Sequence, residues 1–150
     1  MVEDTFIVRC TQCKAKNRIP RSRLGERASC GKCHAPLPFT AGFPEHPVTV
    51  TDRTFAGEVL SFPGPVAVVF WAPWCGYCRH LLPLIDRIAP QYAGFIKFVK
   101  IDMDKNPATA SQYQVMSVPT ILLFKGGRTV NRLVGDLPGD QLEYHFRALL

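Results

Sequence analysis

The stretch Phe70-Trp71-Ala72-Pro73-Trp74-Cys75-Gly76-Tyr77-Cys78-Arg79 decides the fold of this chain. The β-branched and aromatic residues of 65–71 predict a buried strand, and the periodic pattern from Cys75 onward predicts a helix that begins there. The two cysteines therefore lie where a strand passes into a helix. The unpaired N–H groups and the positive dipole end of a helix N-terminus stabilise a thiolate on Cys75. Cys78 follows on the same helical face within disulfide reach, so we predict a dithiol that opens and closes.

The composition is that of a globular chain. Of the 150 residues, 47% are hydrophobic and 20% are charged, which argues against disorder. The longest apolar run, around residues 65–75, is far shorter than the roughly 20 residues that cross a bilayer, so we expect no membrane partner. Glu3 and Asp4 stand where a secretory signal would be basic, and no apolar segment follows them. We therefore expect a cytoplasmic protein.

The excess of positive charge lies in the N-terminal segment. Residues 1–40 contain eight Lys and Arg against three Asp and Glu, a net +5, whereas residues 41–150 have ten against nine, a net +1. Four thiolates with one divalent ion would add about −2 and lower the excess of the first segment to about +3. A nucleic-acid partner is therefore not expected from charge alone.

Four cysteines of this segment form two Cys-x2-Cys pairs: Cys10 with Cys13, and Cys30 with Cys33. The 16 residues between the pairs fit the spacing of four-cysteine zinc sites, in which each pair presents two sulfurs from a tight turn. Structural zinc is the favoured interpretation, and iron in the same cage or two disulfides are the alternatives. Apolar residues are few here, so metal binding is expected to supply most of the folding free energy, on the order of 10 kcal/mol. His34 is expected to be solvated, because four sulfurs complete a tetrahedral site.

The rest of the chain predicts alternating strands and helices. Gly42, Pro44 and Pro47 indicate a stiff linker over 42–47, between a four-cysteine module over 1–41 and an α/β domain over 48–150. We expect strands over 48–50, 66–71, 95–101, 119–124 and 129–134. The expected helices run from Thr51 or Asp52 to about Leu60, from Cys75 to about Tyr92, from Pro107 with Asn106 as its cap, and onward from Pro138. This order predicts a mixed sheet with helices on both faces, parallel at the early crossovers and antiparallel at the Lys125–Arg128 hairpin.

Several separate motifs make residues 48–150 resemble thioredoxin. They are Trp71-Ala72-Pro73-Trp74-Cys75-Gly76-x-Cys78, Lys100-Ile101-Asp102, Val118-Pro119-Thr120, Lys125-Gly126-Gly127 and Gly135. With the four-cysteine segment in front, the whole chain resembles the zinc-ribbon-bearing thioredoxin-2 type. The resemblance implies a thioredoxin fold preceded by a small zinc-ribbon module, and an enzyme that reduces protein disulfides. It also implies recharging by a thioredoxin reductase, a monomeric state, and one structural zinc ion and a redox-active disulfide without NADPH or flavin of its own.

The resemblance assigns roles to individual residues. Cys75 corresponds to the nucleophile, which forms a mixed disulfide with the substrate, and Cys78 to the thiol that resolves it. Pro119 matches the family's cis-proline, which faces the cysteines. The apolar rim on which an extended substrate would lie comprises Trp74, Gly76, Val118 and Gly135. The other expected neighbours of the active site are Tyr77 and Lys100.

Two positions depart from the family pattern. The dipeptide between the cysteines is Gly76-Tyr77, where thioredoxins have Gly-Pro. Tyrosine restores an N–H, which we expect to point at the Cys75 sulfur and favour its thiolate, so we predict a less reducing potential. Val69 stands where thioredoxins place a buried aspartate that is taken to accept the proton of the second cysteine. The nearest replacements by sequence are Lys100 and Asp102, which alternation places on one face of a strand.

Three functions of different class remain open at this level. One is a disulfide reductase with a structural zinc module. Another is an isomerase or oxidant, which the Gly-Tyr dipeptide favours. The third is a binding protein, either a chaperone that oxidation switches by ejecting zinc, or a ribbon that docks partners or nucleic acid through the basic loop Lys14–Arg27. His80 is expected to be a surface residue rather than a general base, because its spacing from either cysteine does not bring the side chains together.

Overall fold

The computed structural model describes residues 5–10, 12–20, 28–37 and 46–150. In the N-terminal part, strands β1 (Thr5–Arg9) and β2 (Lys16–Pro20) pair antiparallel. Ser29 and Pro36 form a second, isolated antiparallel bridge. Each pairing brackets one Cys-x2-Cys turn. Most of the predicted linker over 42–47 and the end of the basic loop lie outside the described residues.

Five strands of the C-terminal part form one mixed sheet in the order β3-β5-β4-β6-β7. Their bounds are β3 Val48–Thr49, β4 Val66–Trp71, β5 Lys97–Asp102, β6 Thr120–Lys125 and β7 Arg128–Val134. Strand β5 runs parallel to β3 and β4, whereas β6 runs antiparallel to β4 and β7. The predicted mixed sheet with a final antiparallel hairpin is confirmed.

Helices cover both faces of this sheet, which explains why the central strand β4 is almost continuously apolar and buried. The α-helices are α1 (Cys78–Ile88), α2 (Pro107–Gln112) and α3 (Gly139–Leu149). Helices α1 and α3 share one apolar cluster with the sheet, and α2 and the segment around Phe55 share the other. Within the described ranges, no helix has the length and apolar character needed to span a membrane.

Two predicted helices have different bounds in the structure. The helix expected from Cys75 begins at Cys78, and at Ala89 it passes into a 3₁₀ turn, Ala89–Tyr92. Pro90 explains this change, because it lacks the N–H that the next α-helical hydrogen bond requires. The helix expected from Thr51 or Asp52 is replaced by a turn over 51–54 and a π-helical turn, Ala56–Leu60.

Asp52 caps α2, a helix remote from it in sequence. Its carboxylate accepts the N–H groups of Ala108 at 3.2 Å and Thr109 at 2.9 Å, and the Thr109 hydroxyl at 2.7 Å. Asn106 is the N-cap residue of α2, as predicted, with Pro107 at the first helical position, but its side chain makes no capping hydrogen bond. Its Oδ1 instead accepts the Asp52 N–H at 2.9 Å, and its Nδ2 donates to the Asp102 carbonyl at 2.9 Å. Burial would raise the pKa of Asp52, but the hydrogen bonds from Thr109 and Ala108 outweigh it and lower that pKa.

The β6–β7 hairpin turns at Gly126 and Gly127, whose φ angles are +61° and +77°. Residues that carry a side chain rarely adopt this left-handed backbone conformation, which explains why both positions are glycine. Gly127 has a second constraint, since a Cβ there would lie 2.8 Å from the backbone oxygen of Leu60. The hairpin therefore packs directly on the end of the π-helical turn.

Candidate functional site

Cys75 and Cys78 form a disulfide between the end of β4 and the start of α1, with their Cα atoms 5.3 Å apart. The Cys75 N–H donates to the Ala72 carbonyl at 3.1 Å, which closes a tight turn after the strand. The Cys78 N–H, at the first position of α1, donates to Cys75 Sγ at 3.2 Å. A backbone donor at a helix N-terminus therefore stabilises negative charge on the Cys75 sulfur when the disulfide opens.

The identity of this donor corrects one prediction. The sequence predicts that the Tyr77 N–H points at the Cys75 sulfur, but among the described residues the donor is Cys78, because α1 starts at Cys78 rather than at Cys75 and Tyr77 is its N-cap. The Tyr77 N–H has no hydrogen-bond partner within the described part of the chain. Its side chain is 62% exposed beside the disulfide.

Trp74 lies exposed next to the disulfide and is held there by a carboxylate. Its Nε1–H donates to Asp104 Oδ2 at 2.8 Å. The Asp104 N–H in turn donates to Asp102 Oδ1 at 2.9 Å, so the loop after β5 fixes the indole ring. No sequence signal marked Asp104 for this role, because the contact joins residues 30 positions apart.

Val69 provides no proton acceptor beneath the cysteines. It is fully buried in the apolar cluster that contains Leu81 of α1. In the sheet register, Lys100 lies beside it on β5. Asp102 is buried at the end of β5, but its Oδ1 is occupied by loop N–H groups. Among the described residues, no carboxylate is hydrogen-bonded to Cys78 in this oxidised form.

The Val118–Pro119 peptide bond is cis, as the resemblance implies. Val118 packs against the buried cluster of the two cysteines. Its backbone N–H and C=O make no hydrogen bond with the described residues, so both groups are free for a ligand. The Gly135 N–H donates to the Pro119 carbonyl at 2.9 Å, and its φ of +88° favours glycine. The end of β7 is thus tied to the loop beside the disulfide.

The four N-terminal cysteines come together, with their sulfur atoms all within 4.8 Å of one another. In the first turn, the Cys10 N–H donates to the Ala15 carbonyl at 2.8 Å and the Lys14 N–H to the Cys10 carbonyl at 3.0 Å. The turn at Cys30–Ala35 repeats this pattern at 2.8 and 2.9 Å. His34 occupies the left-handed position of the second turn, with an exposed side chain, as Lys14 does in the first. Its exposed side chain agrees with the prediction of a solvated histidine.

Backbone and side-chain N–H groups point at these sulfurs. Lys32 N and Asn17 Nδ2 donate to Cys30 Sγ at 3.4 and 3.6 Å. Hydrogen bonds from the backbone of Cys33, the largest effect, and of Lys32 lower the pKa of Cys30 to about 6, although burial alone would raise it. Asn17 also accepts the Gly31 N–H at 2.9 Å, which links β2 to the second turn.

This donor set fits a tetrahedral zinc ion. Zn–S bonds of about 2.3 Å place the sulfurs of a tetrahedron about 3.8 Å apart. Two of the six sulfur–sulfur distances are 3.5 Å for Cys10–Cys33 and 3.6 Å for Cys13–Cys30, and all six lie within 4.8 Å. A cage of four soft sulfur ligands suits zinc, and also iron, better than the hard cations Mg²⁺ or Ca²⁺.

A mixed sheet that carries a Cys-x-x-Cys disulfide at a strand-to-helix junction, beside a cis-proline, defines a thiol–disulfide oxidoreductase. Comparison with known proteins gives the family. Residues 46–148 match the family model described as Thioredoxin, and residues 9–35 match the model described as Thioredoxin 2, N-terminal. The chain therefore belongs to the thioredoxin family, carries its N-terminal zinc ribbon, and is a protein-disulfide oxidoreductase.

Individual relatives agree with this assignment. The chain is 55% identical over 93 residues to Thioredoxin 1 of Nostoc sp., covering 62% of this chain and 87% of that protein. It is 44% identical over 103 residues to the thioredoxin of Alicyclobacillus acidocaldarius, covering 69% and 97%. It is 40% identical over 127 residues to the chloroplastic Thioredoxin M4 of Arabidopsis thaliana, covering 85% and 63%. The ranges that the family models match do not fix the ends of the two modules, so the boundaries 1–41 and 48–150 stay predictions.

Proposed function

We propose that this protein reduces disulfide bonds in other proteins, with Cys75 as the attacking thiolate and Cys78 as the resolving thiol. One observation supports these roles above all: the Cys78 N–H donates to Cys75 Sγ at 3.2 Å. This hydrogen bond favours negative charge on the Cys75 sulfur, and the thiolate is the nucleophile in disulfide exchange.

The reaction takes two exchange steps. The Cys75 thiolate bonds to one substrate sulfur, and the other substrate sulfur leaves as a thiolate. The Cys78 thiolate then attacks Cys75 Sγ, which closes the disulfide and releases the substrate sulfur that was bonded to Cys75 as a thiolate. Two electrons pass from the dithiol to the substrate. Val69 supplies no base for the proton of Cys78, so that proton would leave through water.

The substrate would bind as an extended chain along the cis-proline loop. The free N–H and C=O of Val118 support this mode, because they can pair with a substrate backbone as neighbouring strands do. Trp74, 65% exposed and oriented by Asp104, offers an aromatic surface for the same chain. Gly76 and Gly135, both exposed, leave room for its close approach.

The electron donor and the metal follow from the family. We assign recharging to a thioredoxin reductase, since the chain belongs to a family whose members are reduced in that way. Cys10, Cys13, Cys30 and Cys33 would hold one structural zinc ion, which supplies folding free energy to a segment with a small buried core. We expect a cytoplasmic monomer that does not bind nucleic acid.

The potential is proposed to be less reducing than that of an ordinary thioredoxin. Tyr77 adds an unpartnered N–H at the positive end of α1, where proline would have none. This donor favours the reduced, thiolate form of Cys75 through the helix dipole rather than through a direct hydrogen bond. If the shift is large, the protein acts as an isomerase or oxidant, because each 30 mV corresponds to about 1.4 kcal/mol.

Trapping of the mixed disulfide tests the proposed roles. The variants Cys78→Ser and Cys75→Ser would each be incubated with insulin and analysed by mass spectrometry without reductant. Cys78→Ser should accumulate a covalent complex through Cys75, since no resolving thiol remains, and Cys75→Ser should accumulate little. A complex that forms mainly through Cys78 in the Cys75→Ser variant would reverse the assignment.

A further inference from the structure

A depression of about 560 Å³ lies beside the disulfide, lined by Gly76, Tyr77, His80 and Asp136. Its walls come from two separated parts of the chain. Gly76 and Tyr77 lie between the cysteines, and His80 follows in the first turn of α1. Asp136 comes from the other part and directly follows Gly135, whose N–H donates to the Pro119 carbonyl. The backbone of both parts is therefore linked to the residues around the dithiol.

Asp136 is an exposed carboxylate. Within the described ranges it makes no hydrogen bond and no ion pair. Neither Lys nor Arg is among the residues that line the depression. Tyr77 also lines the depression and is 62% exposed. A carboxylate and an exposed aromatic side chain that line one depression can together attract a cation, by ion pairing and by cation–π contact.

We infer that this depression is a specificity subsite for a Lys or Arg side chain of the substrate, next to the cysteine under attack. The inference rests on the proposed reduction of protein disulfides through Cys75. Arginine suits the site better than lysine, because its planar guanidinium can stack on the Tyr77 ring while it pairs with the Asp136 carboxylate. A substrate chain paired with Val118 passes close to this wall, since Val118, Pro119 and Gly135 are joined to one another.

The net charge of the chain indicates that a preference for a cationic substrate would arise at the depression itself and not from long-range attraction. The chain has a formal net charge of +6, so its long-range field does not favour a cationic substrate. A preference for Arg would therefore arise from contact with Asp136 itself. An exposed ion pair with a cation–π contact gives a rate or affinity preference of roughly three- to tenfold.

Matched peptide substrates test the inference. Three short peptides would carry one cysteine in a mixed disulfide with a neutral chromophoric thiol, and would differ only in an adjacent Arg, Gln or Glu. The second-order rate constant of their reduction by the zinc-loaded, fully reduced protein would be measured at low salt. We expect Arg to exceed Gln about three- to tenfold and Glu to fall below Gln. Asp136→Asn should bring the Arg-to-Gln ratio to within about twofold of one.

Asp140→Asn is the matched control, since it removes the same charge from an exposed position in the first turn of α3. This variant should keep the wild-type ratio. A ratio near one in the wild type, or equal ratios in the two variants, would overturn the subsite. Rapid reduction of the Gln peptide by the wild type and its loss in Cys75→Ser would still support the proposed function. If the wild type reduces none of the peptides, both the function and the subsite are refuted.

Discussion

Val69 is fully buried in β4, between Lys100 of β5 and Ile121 of β6 in the sheet register. Replacing it with aspartate places a carboxyl group in the apolar cluster under α1 and α3. A buried carboxyl without a partner costs about 1–3 kcal/mol, and the loss of buried methyl groups adds about 1 kcal/mol. We therefore expect Val69→Asp to lower the free energy of unfolding by about 2–4 kcal/mol.

The same change should speed the second exchange step. A carboxylate at this position can accept the proton of Cys78, which Val69 cannot, so release of the reduced product should become faster. Val69→Asn is the matched control, because its side chain has nearly the same shape and polarity but is not a base. Both variants should lose stability, whereas the faster resolution should belong to Val69→Asp alone.

Val69→Asp and Val69→Asn should also differ in how their free energy of unfolding depends on pH. Burial raises the pKa of an aspartate in the folded state, so the neutral form is the one that the fold tolerates. The cost of Val69→Asp should therefore be smallest at low pH and grow as pH rises through the raised folded pKa, whereas the cost of Val69→Asn stays constant. Urea unfolding and single-turnover decay of the mixed disulfide would measure both effects. Unchanged midpoints, or equal resolution rates in the two variants, would refute the reasoning.

Three further predictions concern the framework of the fold and the metal site. Gly127→Ala should destabilise the protein by at least about 2 kcal/mol, and Gly126→Ala by about 1 kcal/mol. Both positions have a left-handed φ, but a Cβ at Gly127 would also collide with the Leu60 carbonyl. Equal losses of stability in thermal unfolding would contradict this packing. Asp52→Asn should cost about 1 kcal/mol at neutral pH. The pKa of Asp52 is lowered in the folded state, so the stability that aspartate adds over asparagine is present above the unfolded pKa of about 3.9. That added stability should vanish as pH falls through the folded pKa. A stability difference between the two proteins that persists in urea unfolding at pH 2 would count against the cap. Asn17→Ala should weaken zinc binding about 10- to 100-fold in a chelator competition, because Asn17 donates to Cys30 Sγ and accepts from Gly31. Gln12→Ala keeps the backbone N–H that donates to Cys10 Sγ and should bind zinc normally, so equal losses in the two variants would speak against this role of Asn17.

Features encoded in short stretches of the sequence could be predicted. The order of strands and helices, both Cys-x2-Cys turns and the position of Cys75 and Cys78 at a strand-to-helix junction follow from local patterns. The cis bond at Pro119 was predictable from the family resemblance alone, since nothing in the residues near it requires that isomer.

Features that depend on distant contacts could not be predicted. Asp52 lies beside its own predicted helix, and its use as the cap of α2 depends on how β3 and β5 pair. The contact between Trp74 and Asp104 likewise arises because β4 and β5 end side by side, with Trp71 opposite Asp102. The start of α1 at Cys78 depends on the turn that the Cys75 N–H closes. Because the helix starts there and not at Cys75, the N–H that donates to the Cys75 sulfur belongs to Cys78 and not to Tyr77.

The most direct test of the central claim is the equilibrium redox potential of the Cys75–Cys78 pair, measured in the zinc-loaded protein against glutathione buffers and compared with Tyr77→Pro. We predict a reversible two-electron couple less negative than the roughly −270 mV of thioredoxin, with Tyr77→Pro shifted toward that value. A value near the roughly −180 mV of protein disulfide isomerase would favour the isomerase or oxidant function. A potential at or below about −270 mV that Tyr77→Pro leaves unchanged would contradict the role given to the free Tyr77 N–H. The absence of any redox couple would contradict the dithiol itself.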